Sequence, residues 1–282
     1  MRKHAGAPEG NIPVKIGPQT HRSSAISTSN DSTILVRGRD LAQELVGSVS
    51  FTDHFWLLVT GQPPSAGQRR VLDATLVAIA EHGLVPSVQV SRMTLAAAPE
   101  ALQGAVAAGI LGCGSVVLGS SEAAGVFYSE IAQCSEAGAG AEDAAVKVIE
   151  EYRRSRRAIP GYGHPLHKEA DPRALRLIQI ADEVGLAGKF VTIARLVESW
   201  LPRVLGKPLA LNVSGAIPAV LLDAGFPLGA LKGVPILART AGLIAHLLEE
   251  QQQPIGFVMS HAAAGAIDYN GPAPAGFKQS DD

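Results

Sequence analysis

The chain has 282 residues, 46% of them hydrophobic and 18% charged, with a formal net charge of -2. This composition suits a globular chain with one large core or two unequal domains. It excludes a bulk electrostatic case for nucleic acid or an anionic membrane surface. Residues 1–32 are polar and rich in Ser, Thr, Gly and Pro, and read as an arm that leads to a short extended piece at Thr33 to Val36. From there the pattern is helical. Asp40 can cap a helix through Val46 that Gly47 ends. Thr52 or Asp53 opens the next, which stops at Gly61. Ser65 opens a longer one with Leu72, Leu76 and Ile79 on one face and Gly83 as its stop. Pro99 and Glu100 start a helix rich in small residues, and Asp143 through Arg157 is amphipathic. Pro172 to Val184, Phe190 to Leu205 (interrupted at Pro202), Ser214 to Leu222 and Val234 to Glu250 follow, with an irregular tail from Gln251. The expectation is an all-α fold of about ten to a dozen helices. The turn-rich stretches near Gly138 to Gly140 and Gly225 to Gly229 suggest a large domain of residues 33–137 and 226–282, with a small helical domain of residues 138–225 inserted.

Other classes find little support. Cys113 and Cys134 form neither a disulfide framework nor a metal-ligand spacing, so no metal is expected. No run of about 20 uninterrupted apolar residues reads as a membrane span. The opening MRKHAGAPEGNIP lacks the apolar core of a secretory signal, and a reducing cytoplasm is the default expectation.

Four polar positions stand out. His82, in EHGL, ends an apolar helix beside a glycine, where a histidine can cap the helix or bind a ligand. His164 follows PGYG on a loop whose glycines let the backbone come close and leave room for a ligand. Arg173, in DPR, begins a helix, where backbone N–H groups already favour anions; a salt bridge is the alternative. Arg239 lies in the otherwise apolar ILARTAGLIAH and must meet a carboxylate, of the protein or of a ligand, to offset its burial. Two histidines and two arginines suit a small di- or tricarboxylate carrying a carbonyl or hydroxyl. Arginine grips a carboxylate in a fork, and histidine polarises the carbonyl or takes the hydroxyl proton. The cluster YRRSRR, Tyr152 to Arg157, reads by itself as a solvated helix end.

PGYGHPLHKEADPRA resembles the signature of the citrate synthase family, a G-x-G-H loop followed by D-P-R. RGRDLAQEL resembles its early R-G-x-D-I-x-x-L, EHGL its (D/E)-H-x-x-N region, ALNVSGA its N-V-D segment, and ARTAGLIAH the R-x-x-G-x-x-A-H of its late core helix. The matches run in order from about residue 35 to 250. GILGCGSVVLGSSEAAG and EEQQQPIGF look closer to citryl-CoA lyases and the lyase module of ATP-citrate lyase. The resemblance implies that His82 binds a carboxylate of the oxo acid and that Arg173 and Arg239 hold its carboxylates. His164 would protonate its carbonyl, or deprotonate the tertiary hydroxyl in the cleavage direction. Ile159, Pro160, Gly161, Tyr162 and Gly163 would line the site for coenzyme A, an acyl-CoA substrate here, with YRRSRR serving its phosphates. Domain closure and a homodimer are implied as well.

Three departures shape the expected chemistry. The family's N-V-D aspartate, the base for the acyl-CoA methyl group, falls at Ser214. Its H-G-G-A-N-E histidine falls at about Leu118, a loss that lyases of the family share. The arginine contributed by a partner subunit has no match near Phe257 to His261. The oxo-acid half of the site is kept and the enolisation half is largely gone, with Glu122, His167 and His261 as candidates for a relocated acid or base. The leading reading is an enzyme that makes or cleaves the C–C bond between an acyl-CoA and a 2-oxo acid, citryl-CoA lyase-like. The other is a catalytically impaired relative that binds CoA esters or a dicarboxylate in a regulatory role.

Overall fold

The computed structural model describes residues 23–114, 116, 118–163 and 170–277. It divides into two compact units, Met1–Ser48 and Val49–Asp282. In the first unit, strands β1 (Ser27–Ser29), β2 (Ile34–Val36) and β3 (Arg39–Asp40) form an antiparallel sheet in that order. Val36 pairs with Arg39, so only Arg37 and Gly38 make the turn. Both have positive φ, 50° and 80°, the conformation that matches the twist of the flanking strands. Only β2 carried a strand signal; β1 and β3 are polar and too short for alternation to register. Asp40 does cap a helical turn, Leu41–Leu45, by accepting from the N–H groups of Ala42 and Gln43.

The second unit contains eleven α-helices among the described residues: α1 (Phe51–Thr60), α2 (Ala66–Ala80), α3 (Pro86–Ala97), α4 (Leu102–Leu111), α5 (Ser120–Glu136), α6 (Ala141–Arg154), α7 (Pro172–Glu183), α8 (Lys189–Leu205), α9 (Val213–Asp223), α10 (Gly233–Gln252) and α11 (Gly256–Gly265). The all-α expectation holds. Local chemistry explains several ends. Ser65 caps α2 in a box with Gln68, and Gly61 closes α1 with φ of 79°. Ser50, not Thr52 or Asp53, opens α1; Asp53 is the acidic member of its capping box.

Two expectations fail. Pro202 does not interrupt α8, which runs through to Leu205. The proline sits in the last turn, where it removes only one N–H from the ladder before Gly206 ends the helix. Nor is the tail from Gln251 irregular, since α11 forms. Its start is capped from outside: the Glu250 carboxylate accepts from the N–H groups of Ile255 and Gly256.

The core gathers around α5, whose Phe127, Tyr128 and Ile131 are fully buried against α6, α8 and α9. Each such side chain stabilises the fold by about 1.5–3 kcal/mol. α10 packs on α2, α3 and α4. With the turn before it, α10 is long and apolar enough by composition to cross a membrane, but it also carries the buried Arg239. Gly242 sets its position. A Cβ there would stand 2.3 Å from the carbonyl oxygen of Ala80, so only glycine lets α10 approach the end of α2 this closely.

Candidate functional site

That approach builds one half of the site. Arg239 lies one turn before Gly242 on α10 and is 1% exposed. Its Nη2 donates to the carbonyl of Ile79 at 3.3 Å and to Nδ1 of His82 at 3.0 Å. A guanidinium can only donate, so Nδ1 of His82 must accept. His82 is therefore neutral, with its proton on Nε2. Glu81 lies behind this pair, 3.7 Å from Arg239 Nη1 and 3.0 Å from Nε2 of His246. Burial raises the Glu81 pKa, but the Gly83 N–H, His246 and Arg239 outweigh it and hold the carboxyl below its ordinary value. Burial lowers the Arg239 pKa, and Arg173 lowers it further against the pull of Glu81.

The other half forms at the start of α9. Asn212 caps it, accepting from the N–H groups of Ser214 and Gly215, and its Nδ2 donates to the carbonyl of Gly163 at 2.6 Å. Gly163 N–H donates to Ala210 and Asn212 N–H to Gly161, pairing residues 161–163 with residues 210–212. Gly161 (φ 86°) is required here, because a Cβ on it would meet Gly215 Cα at 2.6 Å. Asp171, 1% exposed, caps α7. It accepts from Nε and Nη2 of Arg173 at 3.1 and 3.0 Å and from the N–H of Val213 at 2.9 Å. Burial pushes its carboxyl up, but the Arg173 and Val213 hydrogen bonds more than offset this and leave it lowered. One carboxylate thus aims Arg173 and anchors α9. The first amides of α9 are already taken by Asp171 and Asn212, so the ligand-facing charge comes from side chains and not from that helix end.

Several donors remain. Nε and Nη1 of Arg239 and Nη1 of Arg173 are buried and have no hydrogen-bond partner among the described residues. A buried unpaired N–H of a charged group is costly. Two guanidinium groups with spare donors among the described residues, one of them bonded to His82, fit a small carboxylate held in a fork.

The remaining candidates are placed less centrally. His164 and His167 lie outside the described residues. Ser214 is half-buried in the first turn of α9. Leu118 is buried with φ of 66°, a left-handed conformation rare for leucine. Glu122 is half-buried in the first turn of α5, and His261 is exposed on α11. Ile159 and Tyr162 are buried and Pro160 half-buried. The Tyr162 hydroxyl accepts from Tyr128 and donates to the carbonyl of Ala194, so its side chain braces the loop from within. In YRRSRR, Arg153 donates to the carbonyl of Val204, Arg154 pairs with Glu151, and Arg157 lies over the Tyr152 ring.

Sequence reasoning did not single out Glu81, His246, Asp171 or Asn212 as site residues, although all four stand in or beside the quoted motifs. It also missed Arg92, 2% exposed, which donates to Glu249 and Glu250 and ties α3 to the end of α10.

The fold has known counterparts. Over 91% of this chain and 97% of the other, the structure is similar to a citryl-CoA lyase from Hydrogenobacter thermophilus, with 31% identity and a TM-score of 0.80. It shares its fold with an ATP citrate lyase from Methanothrix soehngenii, solved in complex with citrate and coenzyme A: 21% identity, 99% of this chain, 48% of that chain, TM-score 0.71. A Bacillus subtilis citrate/2-methylcitrate synthase is 25% identical over 209 residues, which cover 72% of this chain and 53% of that protein. The chain spans about half the length of the curated relatives it matches. Residues 37–256 match the family described as citrate synthase, C-terminal domain, and on that match and the Hydrogenobacter likeness the chain belongs to the citrate synthase family.

Proposed function

We propose that the protein cleaves or forms the C–C bond between an acyl-CoA and a 2-oxo acid, in the manner of a citryl-CoA lyase. The observation that carries this reading is the likeness to the Hydrogenobacter citryl-CoA lyase along nearly the whole of both chains. The spare donors of Arg239 and Arg173 support it. In the cleavage direction these arginines hold the carboxylates of a citryl thioester. His82 donates from Nε2 to a carboxylate oxygen. His164 takes the proton of the tertiary hydroxyl, the C–C bond breaks, and the oxygen becomes the carbonyl of the oxo acid. The bonding electrons pass to the thioester enolate, which picks up a proton to give acetyl-CoA. Condensation instead needs a base to take a proton from the acyl-CoA methyl group, and Ser214 is a poor one at neutral pH. A lost base costs roughly 10²–10⁴-fold; the same group is the acid that protonates the enolate in cleavage, so in either direction water or another side chain takes over that proton transfer.

Coenzyme A enters this reading as substrate, along Ile159 to Gly163 and the Tyr152 to Arg157 cluster. A homodimer and closure of the 138–225 segment over the ligands belong to it too, with exposed Leu111, Phe257 and Val258 as apolar surface for a second copy. The test is thiol release and thioester cleavage with citryl-CoA in one direction and acetyl-CoA plus oxaloacetate in the other. Citryl-CoA cleavage that His164→Ala abolishes, with an unchanged melting temperature, is the expected result. Unchanged activity in His164→Ala sinks the assignment. Saturable binding without turnover in either direction would move the protein to the regulatory reading that Ser214 and Leu118 suggest.

A further inference from the structure

Arg239 keeps a spare Nη1 although a carboxylate stands within reach. Glu81 Oε2 is 3.7 Å from that nitrogen, and Nη1 is buried with no hydrogen-bond partner among the described residues. A desolvated charged donor gains by closing such a gap. Two donors hold the carboxylate back. The N–H of Gly83 donates to Oε1. Nε2 of His246 stands 3.0 Å from Oε2, the same oxygen that faces Arg239. It is not in line for a full hydrogen bond, so the attraction is that of an N–H dipole for a charge. Arg239, Gly242 and His246 recur on one face of α10 over two turns. Glu81 lies against that face: a Cβ on Gly242 would stand 3.1 Å from its Oε2. The His246 ring is itself braced. Nη1 of Arg92 approaches its Nδ1 at 3.5 Å, and because a guanidinium can only donate, Nδ1 accepts and the ring proton sits on Nε2, facing Glu81. Arg92 is fixed in turn by Glu249, by Glu250 at 2.6 Å and by the Gln253 carbonyl at 3.0 Å. The Glu81 side chain is 40% exposed, so packing alone does not set its position.

We propose that His246 is a positioning residue that holds Glu81 off Arg239 and so leaves the guanidinium free for a carboxylate of the substrate acid. This rests on the assignment of Arg239 to the oxo acid. Glu81 then acts as a counter-charge at a distance, which steadies the buried arginine without occupying the donors a ligand needs. Without the His246 N–H, the carboxylate closes on Nη1 and competes with the ligand for it.

The experiment is calorimetric titration of the full chain with oxaloacetate, on the parent, His246→Leu, His246→Gln, His246→Asn and Arg239→Met, with His246→Leu repeated in a Glu81→Gln background. His246→Leu should weaken binding roughly ten- to a hundred-fold, the size of one hydrogen bond to a charged group. His246→Gln, whose amide N–H reaches where Nε2 stood, should recover most of the affinity, and the shorter His246→Asn should not. In the Glu81→Gln background, which has no carboxylate to close on the arginine, His246→Leu should cost less than about three-fold, or about 0.7 kcal/mol. Unchanged affinity in His246→Leu, with binding lost in Arg239→Met, overturns the role of His246 and leaves the arginine in place. An equal loss in both backgrounds shows that His246 does not act through Glu81 and overturns it as well. Should His246→Leu fail to fold, equal affinities of His246→Gln and His246→Asn overturn it. If the parent does not bind oxaloacetate, or Arg239→Met binds as the parent does, the reading of the arginine fails and takes this one with it.

Discussion

Replacing Arg239 by methionine should weaken oxo-acid binding by about 2–5 kcal/mol, or roughly 30- to 5,000-fold in Kd, with little change in melting temperature. The two halves of this expectation have one cause. Arg239 is almost wholly desolvated, yet its protein contacts are thin: one bond to His82, a longer one to the Ile79 carbonyl, and Glu81 at 3.7 Å. Nε and Nη1 make no hydrogen bond among the described residues. A buried charge so poorly paired does little for stability, and a methionine of similar reach fills its space. For a bound carboxylate, the loss removes the fork and frees Nδ1 of His82, so the histidine is no longer held as the Nε2–H tautomer. Calorimetry with oxaloacetate and a thermal melt measure both halves. A variant that binds normally, or one that unfolds, contradicts the account.

Asp171→Asn should act in the opposite way, through stability first. Asp171 accepts from Arg173 three times, counting its backbone N–H, and from the Val213 N–H. Asparagine can still cap α7, but it leaves the Arg173 guanidinium without its counter-charge. Breaking a buried pair from one side costs about 3–5 kcal/mol, which in a unit of this size corresponds to a fall of roughly 10 °C in melting temperature. The folded carboxyl is held below its ordinary value of 3.8. The native state therefore binds that proton less readily than the unfolded chain. The stability it contributes is full above about pH 4 and is lost as pH falls through the lowered folded value. Melts between pH 2 and 7 should show the parent losing more of its stability below pH 4 than Asp171→Asn does. Equal acid sensitivity in both proteins would show that Asp171 is not the group responsible.

The helical framework was legible where capping and periodicity agree, as at Ser65 with Leu72, Leu76 and Ile79. It was not legible where a helix takes its cap from elsewhere. α11 has no apolar stripe and no local cap, and its start depends on Glu250. α5 begins after Gly119 without a side-chain cap and follows a glycine-rich stretch. The burial of Arg239 could be read from its apolar neighbours, and so could its need for a partner. That the partner inside the protein is chiefly His82, with Glu81 further off, depends on the approach of α10 to α2 at Gly242, which no local pattern encodes. The same holds for the Arg92–Glu250 pair, whose members are 158 residues apart.

Under the proposed function, the spare donors of Arg239 and Arg173, with His82 beside them, form the carboxylate site. A crystal structure with oxaloacetate and coenzyme A bound tests it most directly. The account predicts a carboxylate within hydrogen-bond distance of Arg239 Nε and Nη1 and Arg173 Nη1, with the Nε2 proton of His82 directed at the same ligand. An oxo acid seated elsewhere, with these donors still unpaired, would contradict it.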